Sequence, residues 1–341
     1  MTNTARPLSA ALAAAALIVS VAVGCEPDPE SGSGGEAATS GEAGAAAMPD
    51  TIRIRDSGLH PEGIEWDAER GRFLVSSVTR GTVTAVSDDG SHEAFVEDTS
   101  ITSSIGVHID GANDRLLVAN SNLAATGDTS VTGRAKLGAY DLASGERIYM
   151  ADLGALVDGR HFANDMTAGP DGSAYVTDSF SPVIYRVSPD GEPSVFLRDE
   201  RLGGEGFGLN GIDVHADGYL VVAMAGDRTF YRVPLDDPES LTEISVPEPI
   251  SADGIVFRSP TELAVVGTTF RGEEPRTEVL LLSSDDGWKS ATVAGRRAAP
   301  LQPTTAAVRD GEVFAVTPHF SGMGGEEPVE VFEIFRVELG Q

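Results

Sequence analysis

Residues 161–179 read HFANDMTAGPDGSAYVTDS. An Asn-Asp pair precedes a short apolar strand, an Asp-Gly pair reverses the chain, and SAYVTDS returns as a second strand. Asp-Gly is the dipeptide that tight β-hairpins prefer, because both central residues of the turn take positive φ. The pattern recurs along the chain. Short runs such as RFLVSS, TVTAV, RLLVAN, VIYRV, YLVVAM, ELAVVG, EVLLLS, EVFAVT and VFEIFRV read as strands. Asp-Gly turns follow at Asp89-Gly90, Asp171-Gly172, Asp190-Gly191, Asp217-Gly218, Asp286-Gly287 and Asp310-Gly311. There is no long amphipathic helix pattern, so the domain is all-β.

The runs form a repeat. Its first strand begins at GIEW (Gly63), GVHI (Gly106), DMTA (Asp165), GIDV (Gly211), GIVF (Gly254) and TAAV (Thr305). Successive starts lie about 43 to 60 residues apart, the period of propeller blades. Six starts predict a six-bladed β-propeller over residues 51–341. The strand TIRIRD (Thr51–Asp56) is left over, and is expected to complete the last blade beside VFEIFRV and close the ring. A twisted open stack of repeats would leave that strand without a partner.

Upstream of the repeats, Arg6 precedes an apolar, Ala-rich run that is short for a membrane span and suited to a signal peptide. It ends in AVGC, which resembles a bacterial lipobox and places the chain's single cysteine, Cys25, at the lipidation position. Residues 1–24 are therefore read as a lipoprotein signal peptide. Residues 25–50, acidic and without aromatics, are read as a disordered linker. The mature protein is expected outside the cytoplasm, on the periplasmic or cell-surface side, touching the membrane only through lipid on Cys25. A formal charge of −29 leaves no basic stripe for nucleic acid. The partner expected is a small molecule, and the protein a monomer.

The residue just before each strand start carries the chemistry. In order these are Glu62, Ile105, Asn164, Asn210, Asp253 and Thr304. Equivalent positions in a propeller lie at one height around its axis, so four oxygen-bearing side chains from blades one, three, four and five converge. Singly, Asn or Asp before a strand is ordinary turn chemistry. Together they form a hard-oxygen set of two carboxylates and two amides, suited to Ca²⁺ and alternatively to Mg²⁺ or Mn²⁺, and poor for structural zinc. Ca²⁺ takes about six to eight oxygens, which leaves positions for water or a substrate carbonyl.

HPEGIEWD around Glu62, ANDMTAGPDGSAYVTDS around Asn164, LNGIDVHADGYLVVA around Asn210 and ADGIVF around Asp253 resemble the senescence-marker-protein/regucalcin/gluconolactonase family, related to the paraoxonases. The resemblance implies a six-bladed propeller with a divalent metal on Glu62, Asn164, Asn210 and Asp253, and Asp253 as general base. It also leaves Asp165 two roles: fixing Asn164 through backbone hydrogen bonds, or helping a second calcium. Two departures stand out. Glu62-Gly63-Ile64 replaces the usual Glu-Gly-Pro, and Phe162 stands where sugar-lactone members carry an arginine two residues before the Asn.

Loops on the slot's face add candidates. Arg160, Phe162, Asn120 and Asp178 are candidate substrate contacts, and His161 and His319 candidate general bases. His108 and His215 are read as structural. The segment 120–138 is a long loop of the kind that carries specificity. GGEGFGLNG precedes a strand rather than a helix, which excludes a dinucleotide cradle, and no serine-hydrolase elbow or His-Glu-x-x-His is present. The function expected is metal-dependent hydrolysis of lactones or related esters. The alternative is a non-catalytic ligand- or protein-binding propeller at the cell surface, and a strictosidine-synthase-like condensing enzyme would not need this ligand set.

Overall fold

The computed structural model describes residues 48–204, 206–271, 274–299, 301–325 and 327–339. The signal peptide, Cys25 and all of the linker before Met48 lie outside them. Among the described residues no helix is long and apolar enough to cross a membrane. Met48, the first described residue, packs against the domain's apolar interior, and the Asp50 carbonyl accepts from the Arg336 amide at 2.9 Å. The ordered fold thus reaches slightly upstream of Thr51.

Six sheets make six blades, antiparallel throughout except that the short strand Gly133–Arg134 joins His161–Phe162 of the third in parallel. Their innermost strands are Ile64–Asp67, Ser103–Asp110, His161–Ala168, Leu209–His215, Ile250–Ser259 and Ala306–Arg309. Each packs against the next, and the sixth against the first, which closes the ring. The closing device is the one the sequence predicts. Thr51–Arg55 pairs antiparallel with Val331–Val337, Thr51 opposite Phe335 and Arg55 opposite Val331, so the last blade is built from both ends of the domain. The Asp-Gly turns carry positive φ at the glycine, from 75° at Gly172 to 88° at Gly191.

The core explains why the middle strands read as continuous apolar runs. It consists of six clusters, each shared by two consecutive blades. In Arg115–Ser121, Leu116 and Val118 point to the first blade while Leu117 and Ala119 point to the third. In Tyr219–Met224, Leu220 and Val222 face blade three, and Val221 and Ala223 face blade five. Successive strand side chains alternate between faces, and here both faces are buried.

Glycine after the slot residue is a packing requirement. A Cβ on Gly63 would lie 2.6 Å from the Ile105 carbonyl oxygen, and one on Gly211 would lie 2.5 Å from that of Asp253. At these two positions the neighbouring inner strand approaches too closely for a side chain between them.

Candidate active site

The sequence places the slot residues ahead of the inner strands. The structure corrects this for the middle four blades, where the strands begin at Ser103, His161, Leu209 and Ile250 and run through the slot. In each, the ladder slips there: between Ser104 and Val107, Ala163 and Met166, Leu209 and Ile212, and Ala252 and Ile255. These are β-bulges. An extra residue bends the strand and re-aims a side chain, and Ile105, Asn164, Asn210 and Asp253 each occupy such a position.

All six slot residues line one cavity of about 530 Å³. Glu62, Asn164, Asn210 and Asp253 are thus brought together, with Thr304 and Ile105 completing the circle. A ring of hydroxyl groups, absent from the sequence reading, locks them. Asn164 donates its Nδ2 to Ser179 Oγ at 2.8 Å, which leaves its Oδ1 for the slot, and Ser179 donates to the Leu209 carbonyl at 2.7 Å. Thr177 Oγ1 donates to the Asn210 carbonyl at 2.7 Å, and Thr304 Oγ1 to that of Glu62 at 2.8 Å. Ser76 Oγ accepts from the Gly63 amide at 2.7 Å. The visible signal was the small hydroxyl residue closing the second strand, as in RFLVSS and AYVTDS.

Electrostatically the slot is an unbalanced negative site. Burial, then the charges of Asp253 and Asp165, pushes the Glu62 carboxyl well above the usual carboxylate range. Burial likewise raises Asp253, only partly opposed by a hydrogen bond from Asn210. Among the described residues no Lys, Arg or His lines the cavity. A buried and a half-buried carboxylate without a cationic partner in the described lining, beside two side-chain amides, fit a hard divalent ion of the Ca²⁺ class. Among the described residues no three His, Cys, Asp or Glu side chains form a metal-holding group, so the amides are integral to this set.

A second polar ring lies three residues further along the same strands. His108 Nδ1 sits 3.0 Å from Glu65 Oε1, and Thr167 Oγ1 donates to Asp213 Oδ1 at 3.1 Å. Burial alone would lower His108. The hydrogen bond to Glu65 and the charges of Glu65, Asp213 and Asp165 outweigh it and raise the imidazole to about 9. Burial pushes Asp165 up to about 7, although its carboxylate accepts from the Met166 amide at 2.9 Å and faces the His108 charge. His215, also read as structural, accordingly stacks on Tyr219 at 4.5 Å and meets the Pro260 carbonyl at 2.9 Å.

The remaining candidates separate. Phe162 lines the cavity. His161 does not: its Nδ1 meets Asp178 Oδ2 at 2.8 Å and its Nε2 the Val157 carbonyl at 2.8 Å. Both partners accept, so both nitrogens carry protons, and the Asp178 hydrogen bond raises its pKa. Asp178 is fully buried beneath the wall, taking further bonds from the Phe162 and Phe180 amides and the Tyr185 hydroxyl. Asn120 is equally buried and bridges the Thr102 amide and the Ser100 carbonyl. Arg160 lies over the Phe180 ring at 4.4 Å and donates to the Ala125 and Val131 carbonyls, pinning the long second-blade loop. His319, in left-handed backbone, packs edge-on to Phe332 and is not in the cavity wall, although Phe320 and Met323 beside it are. Neither histidine is thereby brought to the slot, and of these candidate contacts only Phe162 touches the cavity. The sequence reading puts each at the right end of its strand but cannot tell on which side of the sheet it points.

Solved structures share the fold. The Malassezia sympodialis allergen Mala s 1 is 20% identical, with a TM-score of 0.71 over 86% of this chain and 97% of its own. A gluconolactonase from Xanthomonas campestris is 16% identical, with a TM-score of 0.56 over 85% of this chain and 91% of its own. Virginiamycin B lyase from Staphylococcus aureus is 11% identical, with a TM-score of 0.54 over 84% and 98%. At such identities the likeness establishes a common fold. No family model and no curated protein matches the chain.

Proposed function

We propose that the protein is a divalent-cation-dependent hydrolase of lactones or related esters, with Ca²⁺ the leading cation and Mg²⁺ or Mn²⁺ the alternatives, held outside the cytoplasm by lipid on Cys25. One observation carries this reading: the buried Glu62 and half-buried Asp253 carboxylates, with no basic partner among the described lining residues, stand beside the Asn164 and Asn210 amides in a substrate-sized cavity. A gluconolactonase among the solved structures of the same fold supports it.

When bound, the cation supplies a Lewis acid that polarises an ester carbonyl and acidifies water. The chain's own residues do the rest. Glu62 and Asp253 provide the negative charge that holds the ion. Ser179 keeps the Asn164 amide turned so that its oxygen, not its nitrogen, faces the slot. Asp253, raised by burial to about 7, has its pKa near the working pH, where a general base is most effective. It is preferred to His161, whose nitrogens are both engaged, and to His319, which lies outside the wall.

A panel of lactones and aryl esters tests the reading. Hydrolysis is expected with Ca²⁺, lost on chelation and restored when Ca²⁺ is returned. Turnover that survives complete chelation would overturn it.

A further inference from the structure

Above the carboxylates the cavity changes character. Phe162, Phe180 and Phe207, from blades three and four, form a triangle with ring centroids 5.4, 5.7 and 5.4 Å apart and interplanar angles of 51°, 81° and 53°. Phe162 and Phe207 line the cavity directly, and Phe320 lines it from the sixth blade, opposite blade three in the ring. Phe207 and Phe320 are 37% and 40% exposed, among the few large apolar side chains so open to solvent. The Arg160 guanidinium stacks on Phe180 and is tied to loop carbonyls, so its charge is not offered to the cavity.

The aromatic patch is one sector of a wall that also carries Thr126, Ser251, Thr268, Thr277 and Gln302. A hydroxylated substituent turned toward the phenyl rings would be left without partners there, which is costly. An aromatic ring entering beside the triangle finds edges and faces at the spacing that aromatic pairs favour.

We infer that the cavity selects lactones or esters bearing an aryl group, which seats between Phe207 on one wall and Phe320 on the other. The inference rests on the hydrolase reading for the reacting bond and on the aromatic wall for the selectivity, and two measurements keep these apart.

The first is calorimetric binding to the purified protein of 5-phenyl-2-pyrrolidinone, a lactam isostere that resists hydrolysis, against unsubstituted 2-pyrrolidinone. The phenyl compound is expected to bind about ten- to a hundredfold more tightly, the range that burying such a ring yields. Phe207→Ala and Phe320→Ala should each shrink that ratio several-fold. The substitutions fall at exposed side chains, and melting curves identify either variant that fails to fold. The second is kcat/KM for γ-phenyl-γ-butyrolactone against γ-butyrolactone and glucono-δ-lactone, with the phenyl substrate expected to lead by about tenfold or more. Equal lactam affinities, or a ratio unmoved in both folded variants, would overturn the aryl subsite. Selective lactam binding without any turnover would uphold the subsite and overturn the hydrolase reading instead.

Discussion

Asp253→Asn lowers kcat/KM for lactone hydrolysis by on the order of 10³-fold, and Glu62→Gln does comparable damage. Each substitution preserves shape and removes one of the two negative charges in the slot. Each should also do something that a scaffold mutation would not. In the metal-free domain the two carboxyls are both raised, by burial and, for Glu62, by the Asp253 charge. Neutralising one relieves that penalty, so the cation-free variants are expected to melt above the cation-free parent while losing activity. Stability exchanged for function is the signature of a site built to hold charge for a ligand. Paired kcat/KM and thermal melts of the two variants check it, and a variant that is both inactive and destabilised would point to misfolding.

His108→Leu is expected to destabilise the domain by about 3 kcal/mol, because it leaves Glu65, Asp165 and Asp213 facing one another without a cation. The side chain keeps 23% of its surface exposed, which places the cost at the lower end for a paired buried charge. The sign of the pH dependence follows from the direction of the shift. His108 is raised from 6.5 to about 9, so its contribution is complete below about pH 6.5 and is lost as pH rises through about 9. Asp165, raised from 3.8 to about 7, acts in the same sense over a lower window, favouring the fold below about pH 4 and ceasing to do so as pH rises through about 7. The cation-free parent should therefore lose stability steadily from mildly acid to alkaline pH. His108→Leu should remove the part between about 6.5 and 9. Denaturant midpoints across that range measure both, and an unchanged slope in the variant would refute the assignment.

The blades were legible because their constraints are local. Asp-Gly turns, paired apolar strands and the glycine after four of the six slot residues recur from blade to blade, and the unpaired TIRIRD required a ring that closes. The slot was legible for the same reason, since equivalent positions in a ring share one height. The bulges were not, because a bulge is a slip between two strands and has no mark of its own in Ala163–Met166 or Ala252–Ile255. Nor was the side of the sheet to which a strand-end residue turns. Asp178 and Ser179 are neighbours; one supports His161 beneath the wall and the other holds Asn164 at the slot. Only tertiary packing decides between them.

The central claim is that the slot holds one divalent cation, and calorimetric titration of the purified protein with Ca²⁺ tests it most directly. The expected result is one ion per chain for the parent and no measurable binding for the Glu62→Gln/Asp253→Asn double variant. Absence of binding by the parent to Ca²⁺, Mg²⁺ and Mn²⁺ alike, or undiminished binding by a folded double variant, would contradict it.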